Sequence, residues 1–151
     1  MQGRYIATLA THNAFGSIHL AAVWFLWDGS SFLVSTYSTS RKARNVLAHP
    51  QASIMIDVRK AGAERGLCAS GPAEMLSGEE SRQINLRVHQ RYMSEAAMAD
   101  QRVGPVMNEL ADVTFRIKPT SWVSWDMRLL DAQVFSGLLG STPGYLLPLD
   151  T

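Results

Sequence analysis

Ser17-Ile18-His19-Leu20-Ala21-Ala22-Val23-Trp24-Phe25-Leu26-Trp27-Asp28-Gly29 is the stretch on which the fold turns. Its apolar and aromatic run reads as one long strand, Ser17 to Trp27, closed by Asp28-Gly29, a strong short hairpin signal. Alternate residues divide into two faces, Ile18, Leu20, Ala22, Trp24 and Leu26 against His19, Ala21, Val23, Phe25 and Trp27. An antiparallel strand with one wet face alternates polar and apolar side chains. This one does not. One face therefore fills a barrel while the other meets an inserted helix, a subunit or a flat ligand. Ala21 and Ala22 leave room at the strand centre for a ring system, although ordinary core packing accounts for each of these residues taken singly.

Before this strand, Arg4 to Thr11 reads as a first strand ended by the turn residues His12, Asn13 and Gly16. After it, Ser31 to Tyr37 is the third. A short helix from Arg41 follows and stops at His49-Pro50, because a residue before proline avoids the helical region. Ala52 to Val58 and Leu67 to Leu76 are further strands, and Gly71-Pro72 within the latter marks a bulge or an edge. Ser77-Gly78-Glu79-Glu80 has the spacing of a capping box. Ile84, Val88 and Tyr92 then stripe a helix, and a second helical piece carries Val103, Val106, Met107 and Leu110, its start delayed by Gly104-Pro105. Val113 to Ile117 and Trp122 to Trp125 are the last strands. Short strands joined by hairpins, with helices inserted after the third and fifth, predict a mainly β fold, a small antiparallel barrel. Residues 127–151, rich in Gly and Pro, read as an irregular extension.

Between the third strand and its helix lies Ser35-Thr36-Tyr37-Ser38-Thr39-Ser40-Arg41-Lys42. Hydroxyls and two adjacent cations sit where backbone N–H groups at a helix start are unpaired and favour an anion. These are the parts of a phosphate cradle without Walker spacing, so no nucleotide triphosphatase is implied. The local spacing by itself favours a plainer reading, a solvated surface helix capped by Ser40.

Composition narrows the classes. With 151 residues the chain makes one domain able to bury a core. A net charge of +1 with dispersed cations speaks against nucleic-acid binding through a basic face. Cys68 is the single cysteine, which excludes an intrachain disulfide and points to a buried small hydrophobe. His12, His19, His49 and His89 have no metal-ligand spacing, and no nucleophile or acid–base dyad stands out, so no metal and no catalytic side chain are assigned. No run approaches the about 18 apolar residues of a membrane span, and no basic-then-apolar leader opens the chain. A cytoplasmic protein is the expectation.

The order of elements resembles the FMN-binding split-barrel proteins, the pyridoxamine 5′-phosphate oxidase-like group, and within it the small probable coenzyme F420-dependent oxidoreductases. The resemblance rests on Leu9-Ala10-Thr11, on Val23 to Gly29, and on Ser38 to Asn45 with its Arg-Lys pair. It continues through His49-Pro50 and Gly71-Pro72-Ala73 to Arg116-Ile117-Lys118-Pro119 and Trp125-Asp126. It implies a six- to seven-stranded antiparallel split barrel of Greek-key type over residues 1–126, a homodimer, and a cofactor, FMN or coenzyme F420, in a groove between the two barrels. Ser35, Thr36, Ser40, Arg41 and Lys42 are then the phosphate candidates. Ala21, Ala22, Val23 and Trp24 line the ring, and Trp125 comes from the other subunit. The chain lacks the arginine that the vitamin oxidases carry early in the second strand, which speaks against pyridoxamine oxidation itself.

The resemblance thus implies hydride transfer between the cofactor and a small conjugated substrate, with the protein supplying placement and electrostatics. A non-catalytic flavin- or haem-binding protein, a carrier or sensor, is the alternative.

Overall fold

The long apolar stretch does not run as one strand: it breaks at Trp24. In the computed structural model, which describes residues 3–149, β1 (Ala7–His12) pairs with β2 (Ile18–Val23), whose last partnered residue is Val23 opposite Ala7. One residue later β3 (Phe25–Trp27) begins, and it pairs with β4 (Phe32–Thr36) instead, Phe25 opposite Val34. Then come α1 (Arg41–Ala48), β5 (Gln51–Val58), β6 (Arg65–Leu76), α2 (Gly78–Tyr92), α3 (Glu95–Ala99) and α4 (Gly104–Leu110). The described chain ends with β7 (Val113–Ile117), β8 (Ser121–Asp126), α5 (Met127–Val134) and α6 (Leu138–Ser141). Residues 1–2 and 150–151, the outer ends of the two segments drawn from sequence, lie outside the described residues.

The sheet order is β2-β1-β5-β6-β7-β4-β3, all neighbours antiparallel, with β8 beside β6. The two ends of this path, β2 and β3, are joined covalently through Trp24, so the sheet has to curl round on itself. This is the split barrel. The path holds seven strands, and with β8 the sheet has eight, the extra one arising where the long second segment divides.

Inside the curl, Leu9, Val23, Phe25, Phe32, Val34, Ile54, Phe115 and Ile117 form the core, and Ala43 and Val46 of α1 join it. Ser40 caps α1, its hydroxyl accepting from the Ala43 N–H at 3.2 Å. Outside, α2 lies across β4 and β7 with two stripes at four-residue spacing. Ile84 and Val88 pack on Leu33 with Trp24, Leu26 and Tyr92 around them. Ser81, Asn85 and His89 form the second stripe, and all three are buried. The Asn85 amide donates to the carbonyls of Ala111 (2.7 Å) and Val113 (3.2 Å), and its oxygen accepts from Thr114 Oγ1 at 2.7 Å. Both faces of β4 are therefore covered, one by the barrel and one by α2.

Two local expectations need correction. The Ser77–Glu80 capping box does not form: the Ser77 side chain makes no cap bond, and Gly78 enters α2 at φ +71°. Glu80 turns instead to the Arg116 guanidinium, a charged partner that outcompetes a neutral N–H. Nor is the segment after β8 irregular throughout: α5 and α6 lie within it, while residues 142–149 carry no helix or strand. The Asp126 carboxylate caps α5 by accepting from the Arg128 N–H at 3.0 Å. Buried Asp131 accepts from the N–H groups of Leu139 (2.9 Å) and Gly140 (2.8 Å), which ties α6 to α5. Leu129, Leu130 and Val134 are exposed, so no core-facing periodicity announced these helices in the sequence.

Gly71-Pro72 is the point where β6 changes partners. Up to Pro72 it pairs with β5, and from Ala73 it pairs with β7. Proline has no N–H to leave unpaired, while its carbonyl accepts from the Lys118 N–H at 3.0 Å. At Gly71 a side chain would collide with the Lys118 carbonyl. Gly71→Ala is expected to lower stability by at least about 2 kcal/mol through this overpacking, read as the midpoint of urea unfolding; an unchanged midpoint would show that β7 can withdraw freely.

Candidate functional site

The segment between β4 and α1 is held from both ends. At its start, Thr36 is buried and its hydroxyl lies 3.4 Å from the Ser40 hydroxyl that caps α1. In its middle, Asp112 accepts from the Ser38 N–H at 2.7 Å and from the Ser38 hydroxyl at 2.6 Å. The Ser38 hydroxyl bond holds the Asp112 carboxyl below its usual range despite a small opposing effect of burial. Arg44 donates to the Thr39 carbonyl at 2.9 Å. The strap is thereby fixed, and Lys42, in the first turn of α1, reaches back over Tyr37.

Next to this strap is a cavity of about 400 Å³, within the range of small-molecule sites. Its walls come from the β2–β3 junction (Ala22, Val23, Trp24), the strap (Ser35, Thr36, Tyr37, Lys42), His89 of α2, and Ile6 with the α4 end (Met107, Leu110, Ala111). Trp24 stacks flat on Tyr92 with ring centres 5.1 Å apart, which fixes the indole in the wall. Most of the lining is apolar. The polar side chains among it are Ser35, Thr36, Tyr37, Lys42 and His89.

Lys42 is the only cation there. Its ammonium lies 5.4 Å from the centre of the Tyr37 ring, and among the described residues no carboxylate forms an ion pair with it. Burial pushes its pKa below the ordinary lysine value of 10.5. A half-buried ammonium that lacks a counter-ion pulls an anion toward it, because the anion relieves the desolvation penalty.

His89, 1% exposed, closes the inner wall. Its Nε2 is 3.3 Å from Ser35 Oγ and its Nδ1 is 2.7 Å from Asn108 Oδ1. The ring also meets Trp24 edge-on.

Of the residues singled out from sequence, Ala22, Val23, Trp24, Ser35, Thr36 and Lys42 meet in this cavity. Ala21 packs toward the barrel core, Ser40 is buried as the helix cap, and Arg41 is exposed on the far side of the first turn. Trp125 lies in a separate groove of about 430 Å³ with Tyr5, Arg65 and Leu129, its ring covering Gly66. Sequence reading passed over Ile6, Tyr37, His89, Met107, Leu110 and Ala111. The signal for His89 was present as the Ser81, Asn85, His89 stripe, polar residues at helical spacing beside an apolar one.

Residues 1–126 match the pyridoxamine 5′-phosphate oxidase family. Among solved structures, a conserved hypothetical protein from Mycobacterium tuberculosis is 28% identical, with a TM-score of 0.70 over 85% of this chain and 80% of that one. A protein described as an F420 reductase is 20% identical, with a TM-score of 0.63 over 81% of this chain and 91% of that one. The haem storage protein HutZ from Vibrio cholerae is 22% identical, with a TM-score of 0.62 over 81% of this chain and 87% of that one. The latter two likenesses show the fold alone. No curated protein matches the sequence.

The Asp112–Ser38 link makes a measurable claim about the strap. Asp112→Ala should speed hydrogen exchange at the Ser38 amide by about tenfold or more, since bonds to a carboxylate are stronger than neutral ones. The folded carboxyl is more acidic than the unfolded one, so the link is intact above about pH 4 and fails as the pH falls through the lowered value. Exchange unaffected by the substitution would show that the strap is held by its ends alone.

Proposed function

The chain belongs to the pyridoxamine 5′-phosphate oxidase family of flavin-binding split barrels, and from that premise we propose that it is an oxidoreductase using FMN or coenzyme F420. The observation that carries the reading is the half-buried Lys42, without an ion-pair partner among the described residues, on the wall of a mainly apolar cavity. A planar ring with an anionic tail fits such a lining. The small Ala22 and the fixed Trp24 indole leave a flat wall for the ring, while Lys42 and Thr36 take the phosphate. Ser40 holds the turn that presents them. When bound, such a cofactor supplies hydride transfer to or from a conjugated small molecule. The chain's own part is to place the ring, neutralise the phosphate and keep water out with Ile6, Met107 and Leu110.

The alternative, a haem-binding carrier or sensor, has a structural relative in its favour but meets an obstacle in the cavity. His89 is the histidine that lines it, and both its ring nitrogens are engaged, by Ser35 and Asn108. An iron ligand from that ring requires one of those bonds to break.

The decisive test is titration of cofactor-free protein with FMN and with coenzyme F420, followed by fluorescence. Lys42→Ala removes a charge-assisted contact worth roughly 1.5–3 kcal/mol, so affinity should fall by about one to two orders of magnitude. Arg59→Ala and Lys60→Ala, in the loop after β5, should bind as wild type does. Equal affinity of Lys42→Ala and wild type for both cofactors would remove the phosphate assignment.

The homodimer is part of the same proposal. Ile18 and Leu20 on the outer face of β2 are 61% and 62% exposed, an apolar edge strand without cover. A second copy laid on this face would bury it, and obligate interfaces of that kind cover on the order of 2,000 Å² or more. Light scattering at micromolar concentration should give twice the chain mass, and Leu20→Glu should shift it toward the monomer. A monomeric mass for the wild type would overturn the dimer.

A further inference from the structure

We propose that Ser35, His89 and Asn108 form a proton relay that opens on the cavity and delivers the proton accompanying hydride transfer, an inference that rests on the oxidoreductase reading. The three side chains come from β4, α2 and α4 and meet in series: Ser35 Oγ to His89 Nε2 at 3.3 Å, and His89 Nδ1 to Asn108 Oδ1 at 2.7 Å. An amide oxygen only accepts, so it places a proton on Nδ1 and leaves Nε2 of the neutral ring to accept from the Ser35 hydroxyl. A hydroxyl, an imidazole and a third group that fixes the tautomer is the arrangement by which side chains move protons. Ser35 and His89 line the cavity, whereas Asn108 stands behind the ring. Asn108 is thus a positioning residue.

The phosphate end does not need this network. Lys42 and Thr36 face the anion, while the Ser35 hydroxyl is committed to His89. A buried imidazole needs a partner on each ring nitrogen, and Ser35 and Asn108 supply them; what a purely structural pairing does not require is that the hydroxyl also open on a cavity. The other ionisable side chains lining the cavity are Tyr37 and Lys42. On the neighbouring elements, Arg116 of β7 is engaged by Glu74 and Glu80, and Glu109 of α4 is exposed.

The substrate class that fits is a conjugated carbonyl compound. The reduced cofactor gives it a hydride, two electrons with one proton, and is oxidised. A second proton passes from Ser35 Oγ to the carbonyl oxygen as the Nε2 proton of the charged His89 ring moves to Ser35 Oγ. His89 ends neutral, protonated on Nδ1, and regains its proton from solvent. In the opposite direction neutral His89 takes the proton.

The test compares wild type with Ser35→Ala, Ser35→Thr and His89→Gln. Affinity for FMN and coenzyme F420 is measured by fluorescence, the His89 ring nitrogens are followed by NMR in the cofactor-free protein, and single-turnover reduction of menadione by the chemically reduced, loaded protein is timed across pH. Both Ser35→Ala and His89→Gln should keep cofactor affinity within about threefold, lose about a hundredfold in rate and lose the pH dependence of that rate. Ser35→Thr, which keeps the hydroxyl, should restore most of the rate. The Nε2 resonance should mark an unprotonated nitrogen in the neutral ring and move in Ser35→Ala but not in Ser35→Thr. Rates within twofold of wild type in loaded Ser35→Ala, a protonated Nε2 in the neutral ring, or no reduction of menadione by loaded wild type would each overturn the relay while leaving cofactor binding intact. Failure of wild type to bind either cofactor would overturn the oxidoreductase reading and the relay with it. Should His89→Gln not fold, Ser35→Ala, which removes a single oxygen from the cavity wall, decides the matter.

Discussion

Everything in this molecule depends on one covalent constraint, the single residue between β2 and β3. The strands lie at opposite ends of the sheet path, yet Trp24 joins them, so the sheet curls and the barrel closes by chain connectivity. Val23 and Phe25 on either side are buried, and Trp24, turned the other way, becomes wall for a cavity. The residue that closes the fold is also one that lines the cavity.

The second constraint is electrostatic. A core of aliphatic and aromatic side chains stabilises the barrel, and α2 adds its apolar stripe from outside. Against that background Lys42 stands half-buried with no carboxylate paired to it among the described residues. Several other charges on the molecule are paired. Arg116 is shared between Glu74 and Glu80, Arg82 meets Glu79, and Arg128 meets Asp126.

The third is the polar stripe of α2. Ser81 and Asn85 satisfy carbonyls and hydroxyls of β7 and the turn before it, which registers the helix on the sheet. His89 continues the stripe by one more turn and reaches the cavity. The same register that stabilises the helix therefore sets the distance between the imidazole and Ser35. Fold and site share one ruler.

Much of this was legible in the residues. The apolar pattern on both faces of 17–27 declared a strand covered on both sides, which holds at Val23 and Phe25 but not at Ile18 and Leu20, exposed on β2, and the hairpin and proline signals placed the neighbouring elements. Ser40 as a helix cap and the gathering of Thr36 with Lys42 followed from hydroxyls and cations at a strand-to-helix junction. Such patterns are local, and the chemistry of caps, turns and alternation acts over a few residues. What the tertiary structure decided was of longer range. The break at Trp24 depends on which strands compete to pair with each half of the segment, a contest between β1 and β4 that no local window contains. Glu80 left its capping box because Arg116, far along the chain, folded next to it. The helices after β8 rest on Asp126 and Asp131 accepting backbone N–H groups rather than on a core-facing stripe. The meeting of Ser35, His89 and Asn108 joins residues 54 and 19 positions apart. Their chemistry was in the sequence, and their proximity came from the packing of α2 between β4 and α4.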